Sequence, residues 1–325
     1  MSGKKISFVI PVYNEEAVLP ILIRRLGLLL AKLDAPAEVI FVDDGGKDAG
    51  GVYLAELARN DPRYRYIALS RNFGHQVAIT AGMEAATGDA VIVMDADLQD
   101  PPEVALELVA KWREGYEIVY ARRERREGET VFKRWTASAF YRVVAKLSRV
   151  EIPRDVGDFR LVDRAALDAF LKMPEQNRFV RGMFAWVGFR QAEVLYRREA
   201  RAAGVTHYPL RKMLSLAGSA IVSFSDAPLR LALWFGTLVS LGAMGYGAYV
   251  LVRALFWSDG LVEGWASTIL ITSFLSGINL LMTGIVGVYV GRIYSEAKRR
   301  PLYLVSRKIG FDAEERVAPV RSVAS

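Results

Sequence analysis

Two long runs without a charged residue lie in the C-terminal third of the chain, at residues 231–252 and 266–290. A helix of about 20 residues crosses a hydrocarbon core of about 30 Å, because each residue adds about 1.5 Å. Buried core helices of soluble domains, the alternative, rarely reach this length without one charge. The sequence therefore predicts a two-helix transmembrane hairpin over residues 230–292.

The charges around this hairpin are distributed asymmetrically. The connecting segment carries Arg253 against Asp259 and Glu263. The basic flanking residues are Arg211, Lys212 and Arg230 before the first run and Arg292, Lys298, Arg299, Arg300, Arg307 and Lys308 after the second. Because Lys and Arg favour the cytoplasmic side, both termini are predicted to be cytoplasmic. Residues 1–207 then form a cytosolic domain, and residues 293–325 a cytosolic basic C-terminal tail.

The stretch at 208–229 joins the cytosolic domain to the hairpin. It contains Pro209 and Pro228, with apolar residues between them. This pattern predicts a juxtamembrane helix that lies in the membrane interface, with a plain linker as the alternative.

Strand-like and helix-like stretches alternate in the first 120 residues. The predicted strands cover residues 6–12, 38–42, 64–69, 90–94 and 117–120, and the predicted helices cover 15–32, 48–59, 74–86 and 102–114. This alternation predicts an α/β fold with a mostly parallel sheet. Such sheets bind ligands at the carboxyl ends of their strands.

The residue types present restrict the chemistry. The chain has no cysteine and only two histidines, His75 and His207. Disulfides, cysteine zinc sites, iron–sulfur clusters and thiol nucleophiles are therefore excluded. A resident metal must have oxygen ligands, which points to Mg²⁺ or Mn²⁺. The chain also lacks the GxxxxGK[ST] loop and a GxGxxG after the first strand, which argues against P-loop and dinucleotide-binding sites.

Acidic residues follow two of the predicted strands. Asp95 and Asp97 come directly after an apolar run, and residues two apart in an extended chain share one side. Both carboxylates can therefore converge on one hard cation, with the amide of Gln99 as a further oxygen ligand. Asp43 and Asp44 end another strand before two glycines, and are either turn residues or acceptors for a nucleobase or ribose.

Several ordered motifs in residues 5–210 resemble glycosyltransferase family 2. They are VIPVYNEE at 9–16, FVDDG at 41–45, SRNFGHQ at 70–76, DADLQDPPE at 95–103 and GDFRL at 157–161. The resemblance is to the polyprenyl-phosphate branch, similar to dolichol-phosphate mannose synthase and bacterial undecaprenyl-phosphate sugar transferases. It implies a GT-A type nucleotide-sugar-binding domain, followed by the juxtamembrane helix and the transmembrane hairpin.

The resemblance also implies roles for individual residues. The residues implied to bind the nucleotide sugar are Pro11, Tyr13, Glu15, Asp43, Asp95 and Asp97, and those implied to bind Mg²⁺ or Mn²⁺ are Asp95, Asp97 and Gln99. The residues implied to bind the acceptor phosphate are Arg122 and Arg134. The residues implied to be catalytic are Asp97 and Asp158. Arginine presents a planar fork that suits phosphate oxygens. Asp158 is expected to act as a general base or to orient the acceptor. The acceptor phosphate is already largely ionised at pH 7, so positioning matters more than a base.

Two departures from the family pattern stand out. Gly46 replaces the serine of DDGS, with a small effect expected because the backbone N–H groups remain. Val205 and His207 replace the acid and the lysine of the GES-K-Y segment, which puts the roles of those two positions in doubt. His75 is expected either near the donor or as a helix cap.

The expected reaction is inverting sugar transfer from a nucleotide sugar, with UDP-glucose favoured, to a polyprenyl phosphate at the cytosolic face of a bacterial inner membrane. GDP-mannose and a UDP-aminoarabinose-type sugar are alternative donors. Other readings are a processive polysaccharide synthase, whose QxxRW motif is absent, and a non-catalytic membrane scaffold or sugar-nucleotide sensor. A homo-oligomer, specifically a tetramer, is expected, and no nucleic-acid partner is expected.

Overall fold

The computed structural model describes residues 3–124, 156–197, 227–256 and 264–311. The chain divides into two compact units. Among the described residues, the first unit holds 3–124, 156–197 and 300–311, and the second holds 227–256 and 264–299. Most of the expected juxtamembrane helix, at 208–226, lies outside the described residues.

The first unit alternates strands and helices through its N-terminal half, as expected from the sequence. The elements, in chain order, are β1 (Ile6–Val12), α1 (Leu19–Lys32), β2 (Ala37–Asp43), α2 (Gly50–Asn60), β3 (Tyr64–Leu69), α3 (His75–Ala85), β4 (Ala90–Val93), a 3-10 turn (Pro102–Val104), α4 (Ala105–Arg113) and β5 (Ile118–Arg123). Further elements of this unit are β6 (Val156–Asp163), α5 (Arg164–Leu171), α6 (Val180–Trp186), β7 (Gln191–Tyr196) and β8 (Val305–Ile309).

These strands form one eight-stranded sheet in the order β7-β5-β6-β4-β1-β2-β3-β8. The pairs β1/β2, β1/β4, β2/β3 and β5/β7 are parallel, whereas β6 and β8 run antiparallel to their neighbours. The expected α/β class with a mostly parallel sheet is therefore confirmed. The carboxyl ends of β1, β2 and β4 lie at the same edge of the sheet.

Helix α1 begins at Leu19, four residues later than the sequence pattern predicts. Pro20 lies in its first turn, where a missing N–H leaves no helical hydrogen bond unmade. Before the helix, the N–H of Val18 donates to the carbonyl of Glu15 at 2.9 Å, so a tight turn precedes the helix. The side chains that α1 buries against the sheet are Leu19, Leu22, Leu26 and Leu29.

Strand β8 corrects the expectation for the C-terminal segment. Residues 293–325 were expected to form a basic tail, but residues 305–309 pair antiparallel with β3 at the edge of the sheet. The N–H of Ser70 also donates to the carbonyl of Leu304 at 2.8 Å, and the hydroxyl of Tyr303 bonds to Glu84 on α3. The sequence of β8, VSRKI, is polar because the strand lies at the edge of the sheet, and a polar run of this kind is not recognised as a strand from the sequence.

The second unit consists of α7 (Ala227–Phe256) and α8 (Trp265–Ala297), of 30 and 33 residues. Both expected apolar runs lie within these helices, and the segments 229–249 and 274–297 are long and apolar enough to cross a membrane. Their apolar side chains are not buried in a protein core, since Leu233 and Leu280 are 70% and 74% exposed. The exposure argues against core helices of a soluble domain.

Candidate active site

Strand β6 brings Asp158 to the edge of the sheet where Asp95 and Asp97 lie. Its register on β4 pairs Arg160 with Val93, the last residue of β4, so Asp158 lies just beyond the end of β4, after which Asp95 follows in the chain. Because β6 is antiparallel to β4, the start of β6 meets the end of β4. The topology therefore joins residues that are more than 60 positions apart in the chain.

His75, the first residue of α3, lies between these two carboxylates. Its Nε2 is 3.3 Å from Oδ1 of Asp95 and 3.3 Å from Oδ2 of Asp158. Burial lowers the pKa of His75, but the hydrogen bond to Asp158 and the charge of Asp95 outweigh it, so that the pKa is raised. The imidazole is thereby favoured in its charged form, with an anion on each side.

Asp44 holds the loop that leads into His75. Its Oδ1 accepts a hydrogen bond from the N–H of Phe73 at 2.7 Å, and its Oδ2 accepts one from Gly74 at 2.9 Å. Gly74 has φ = 103°, which favours glycine over residues with a Cβ. Asp44 is 3% exposed, and these two hydrogen bonds fix the loop.

Asp158 is surrounded by nitrogen donors. Arg181 is bidentate on it, with Nε 3.0 Å from Oδ1 and a terminal nitrogen 3.1 Å from Oδ2. Arg160 donates to Oδ1 at 3.2 Å, and the side-chain amide of Gln76 donates to Oδ2 at 3.1 Å. Burial raises the pKa of Asp158, yet His75, Arg181 and Arg160 together hold that pKa well below its ordinary value. Asp158 is therefore a carboxylate anion at neutral pH.

The pKa of Asp95 shifts in the opposite direction to the pKa of its neighbour Asp158. Burial raises its pKa to about 6, and the charge of His75 only partly opposes the rise. Its Oδ1 is buried and has no hydrogen-bond partner among the described residues, apart from the ion contact with His75. An anionic oxygen in that position is suited to a cation or to a hydrogen-bond donor of a ligand.

Asp97 and Gln99, the other residues predicted to bind a metal, come shortly after Asp95 in the chain. Oδ1 of Asp97 accepts the N–H of Gln99 at 3.1 Å, which makes a tight turn, and Leu98 between them has φ = 57°. No group of three or more acidic or histidine side chains that could enclose a metal occurs in the described parts of the chain. Mg²⁺ is often held by one or two carboxylates together with substrate phosphates, so Asp95 and Asp97 fit a cation shared with a diphosphate.

Asp43 ends β2 next to Val12 of β1. Its Oδ1 accepts the N–H of Gly46 at 2.7 Å, and its Oδ2 accepts the hydroxyl of Tyr66 at 2.9 Å. The N–H of Gly46 is therefore engaged by Asp43 within the protein. A Cβ at Gly46 or Gly51 would lie 2.9 or 2.8 Å from the Asp43 carboxylate, so both glycines let the chain close around it.

The other predicted nucleotide-binding residues lie at the end of β1. Pro11 is buried in the strand, Glu15 is half-buried and Tyr13 is 47% exposed. Asn14, between them, has φ = 55°, and its side-chain oxygen accepts the N–H of Lys47 at 2.8 Å. The β1 and β2 loops are therefore tied together, with the Tyr13 ring open to solvent.

Arg122, predicted to bind the acceptor phosphate, lies near the end of β5, where its guanidinium donates to Glu193 at 2.6 Å. The neighbouring Arg123 lies 3.5 Å from Asp100 and donates to the hydroxyl of Tyr196 at 3.0 Å. Arg134, the second predicted phosphate ligand, lies outside the described residues. The structure thus brings Asp95 and Asp158 together around His75, and it gives Arg122 a partner on β7.

Three residues of this cluster were not predicted as members of the site. Gln76 ends the SRNFGHQ motif, but its contact with Asp158, like that of Arg181, depends on how distant elements pack. Arg160 could have been found, since it lies in the GDFRL motif and a positive charge in a strand needs a buried anion. The His75 side chain contacts Asp95 and Asp158, and among the described residues no side-chain cap hydrogen bond occurs at the start of α3.

The chain is similar to a known protein family and to individual proteins of other organisms. The sequence model of the family described as "Glycosyl transferase family 2" matches residues 7–171. The chain is 49% identical over 306 residues to "Uncharacterized glycosyltransferase YkcC" of Bacillus subtilis (strain 168), with 94% of each chain covered.

Two further relatives have names that state an activity. The "Prophage bactoprenol glucosyl transferase homolog" of Escherichia coli (strain K12) is 39% identical over 303 residues, which cover 93% of this chain and 99% of the relative. The "Bactoprenol glucosyl transferase" of Shigella phage SfV is 38% identical over 304 residues, which cover 94% of this chain and 99% of the relative. The likeness therefore extends through the two long apolar helices as well as the sheet.

Proposed function

The chain belongs to glycosyltransferase family 2, and on this premise we propose that it transfers a sugar from a nucleotide sugar to a polyprenyl phosphate. It is an enzyme with a GT-A type domain. The finer proposal is an inverting transfer, in which a phosphate oxygen of the lipid attacks the anomeric carbon and the nucleoside diphosphate leaves.

One observation carries this proposal. Asp95 and Asp158 converge at the carboxyl edge of the sheet, close to the turn that contains Asp97, in a chain whose relatives along nearly its full length include bactoprenol glucosyl transferases. The edge is where α/β sheets bind ligands. A scaffold that binds no nucleotide sugar would need none of the charged groups at this edge.

Donor binding is assigned to the loops after β1, β2 and β4. Pro11, Tyr13, Glu15 and Asp43 are proposed to contact the nucleoside, with Asp43 oriented by Tyr66. A hydrogen-bonding carboxylate with fixed geometry can recognise a base or a ribose hydroxyl. Asp95 and Asp97 are proposed to lie against the diphosphate.

Asp95, Asp97 and Gln99 are the residues proposed to hold Mg²⁺ or Mn²⁺. A divalent cation bound there supplies positive charge that neutralises the leaving nucleoside diphosphate. The absence of cysteine and the oxygen-rich turn both favour such hard cations.

Acceptor binding is assigned to Arg122 and Arg134, with Asp158 as a positioning carboxylate. A phosphate monoester is mostly ionised at pH 7 and needs no strong base. Asp158 is itself held as an anion by His75, Arg160 and Arg181, and such a stabilised carboxylate is a weak proton acceptor. Orientation and charge balance are therefore its proposed contribution.

The proposed location is the bacterial inner membrane, with the catalytic unit and both termini in the cytoplasm. The two apolar helices and the basic residues flanking them support this arrangement. A homo-oligomer, with a tetramer as the specific expectation, is proposed as the working form.

UDP-glucose is the favoured donor, because two of the relatives above are named as glucosyl transferases. The test is to incubate membranes that contain the protein with labelled UDP-glucose, a UDP-aminoarabinose-type sugar and GDP-mannose, and to extract lipid. Membranes of the same host without the protein are the control. Glucose in the lipid fraction is expected, another sugar would change the donor, and the absence of lipid-linked product with every donor would overturn the proposed function.

A further inference from the structure

Asp158 lies next to three side chains that can carry a positive charge, those of His75, Arg160 and Arg181. Arg160 and Arg181 both lie within hydrogen-bond distance of its oxygens. His75 and Asp95, next to them, form a further cation–anion pair when both are charged. A guanidinium that remains accessible in such a cluster can bind an anionic oxygen of a ligand.

The two arginines differ in their access to such a ligand. The side chain of Arg160 is 1% exposed, and its guanidinium carbon lies 5.4 Å from the ring centre of Tyr120 and 5.3 Å from that of Phe184. The side chain of Arg181 is 39% exposed. Arg160 is therefore a buried support beneath Asp158, and Arg181 is the one of the two arginines that is open to solvent.

Asp158 also fixes how Arg181 is presented. Two nitrogens of the guanidinium engage two oxygens of the carboxylate, at 3.0 and 3.1 Å, so the plane of the guanidinium is defined by that of the carboxylate. The carboxylate in turn is held by Arg160, Gln76 and His75. A planar donor held in this way loses little entropy when it binds a phosphate oxygen.

We propose that Arg181 binds a phosphate group of a reactant in the transfer site, with Asp158 as its positioning residue. The proposal rests on the proposed function, since it assumes that two phosphate-bearing reactants meet at this edge of the sheet. The ligand is either the diphosphate of the nucleotide sugar or the phosphate monoester of the lipid. Both present the same oxygen chemistry to a guanidinium.

The first experiment measures initial rates with the full-length protein in membranes. Arg181→Gln is compared with Arg181→Lys, which keeps the charge, and with Arg63→Gln as the matched control. Arg63 makes a similar bidentate pair with Asp61, at the turn between α2 and β3 and away from the carboxyl ends of the parallel strands. The KM for nucleotide sugar and the KM for polyprenyl phosphate are determined separately.

We expect Arg181→Gln to raise one of these KM values about tenfold or more, which corresponds to the loss of a charge-assisted hydrogen bond. A rise for the nucleotide sugar identifies the donor diphosphate, and a rise for the lipid identifies the acceptor phosphate. Arg181→Lys should show a smaller rise, and Arg63→Gln none. If both KM values stay within twofold of the wild type, even with a lower kcat, Arg181 only holds Asp158 and the proposal is overturned.

A second experiment needs neither a variant nor sugar transfer. The wild-type protein is treated with phenylglyoxal, which modifies accessible arginines, and modification of each arginine is followed by mass spectrometry. UDP with Mn²⁺, farnesyl phosphate and the uncharged farnesol are added in separate arms. Slower modification of Arg181, but not Arg63, with a phosphate-bearing ligand supports the proposal, and no protection by either ligand contradicts it.

Sugar transfer tests the proposed function, and protection of Arg181 tests the phosphate contact, so either proposal can fail alone. A protein that transfers no sugar from any donor loses the proposed function, yet the protection of Arg181 still shows whether it binds phosphate. Conversely, an active enzyme with unprotected Arg181 keeps the proposed function and loses the phosphate contact.

Discussion

The imidazole Nε2 of His75 lies 3.3 Å from Oδ2 of Asp158. The same nitrogen lies 3.3 Å from Oδ1 of Asp95, so one ring from the start of α3 separates carboxylates that come from β6 and from the end of β4. Two carboxylates this close repel one another unless a cation lies between them. His75 therefore allows Asp95 and Asp158 to be charged at the same time.

Replacement of His75 tests this role. His75→Ala should lower kcat/KM for sugar transfer about tenfold or more, because Asp95 and Asp158 lose the cation between them. His75→Lys should recover part of the loss, since it restores a positive charge. Rates are measured in membranes with the preferred donor, and an Ala variant as active as the wild type would refute the role.

Asp97→Asn should leave the protein in the membrane but remove metal-dependent turnover. The substitution takes one negative charge from the turn that contains Gln99, and a neutral amide is a poorer ligand for Mg²⁺ than a carboxylate. Transfer is measured against Mg²⁺ and Mn²⁺ concentration, after the ions have been removed with a chelator. The exposed Asp34→Asn is the control and should retain its activity after the metal is restored.

The metal assignment has a clear counter-result. Undiminished transfer by Asp97→Asn at saturating Mg²⁺ would show that this carboxylate is not a ligand that the reaction requires. A shift of the half-saturating metal concentration to higher values, with part of the rate recovered, would agree with the assignment.

Arg122→Ala and Arg134→Ala should raise the KM for polyprenyl phosphate more than the KM for the nucleotide sugar. Each substitution removes a planar donor that suits phosphate oxygens, with an expected effect of about tenfold. Glu193→Gln is an informative companion, because it removes the carboxylate that accepts from Arg122 and leaves the arginine in place. Equal changes in both KM values would show that an arginine acts only as a surface charge.

The sequence predicts β1 to β4 well because their signals are local. Apolar runs such as residues 6–12 are bounded by turn residues, and the strand bounds agree within one or two residues. Strand β6 lacks such a signal, since VGDFRLVD contains Asp158 and Arg160 in its buried interior. Their charges neutralise each other only after the sheet has formed, and the sequence does not show this.

The candidate site follows the same division. The sequence motifs that contain Asp95, Asp97 and Asp158 are recognisable, because metal and phosphate chemistry requires carboxylates at strand ends. The contact of Arg181 with Asp158 was not recognisable, since it joins α6 to β6 through tertiary packing. The edge position of β8, after the second long helix, likewise depends on a contact with β3 that is more than 200 residues distant in sequence.

Glu38 offers a test of stability away from the candidate site. Its carboxylate is 2% exposed and accepts hydrogen bonds from Ser7 at 2.6 Å, from Lys5 at 2.7 Å and from the N–H of Thr87 at 2.8 Å. Arg65 lies 3.0 Å away. Burial alone would raise the pKa of Glu38, but these donors and the charge of Arg65 lower it overall.

Glu38→Gln should therefore destabilise the protein at pH 7 by about 3 kcal/mol, because Lys5 and Arg65 lose the buried charge that they share. A lowered pKa in the folded state means that this stabilisation is present above the pKa of an unfolded glutamate and is lost as the pH falls through the folded value. The difference in Tm between wild type and variant should be constant from about pH 5.5 to 8 and should shrink below about pH 4.

The measurement is thermal unfolding of the full-length protein in detergent at a series of pH values, with the exposed Glu107→Gln as the control. Other carboxylates titrate in both proteins and cancel in the difference, whereas glutamine at position 38 does not titrate. A difference in Tm that grows as the pH falls would mean that Glu38 is protonated in the folded protein. In that case the bonds to Lys5 and Arg65 would not be charged pairs, and the cluster would stabilise the sheet only through neutral hydrogen bonds.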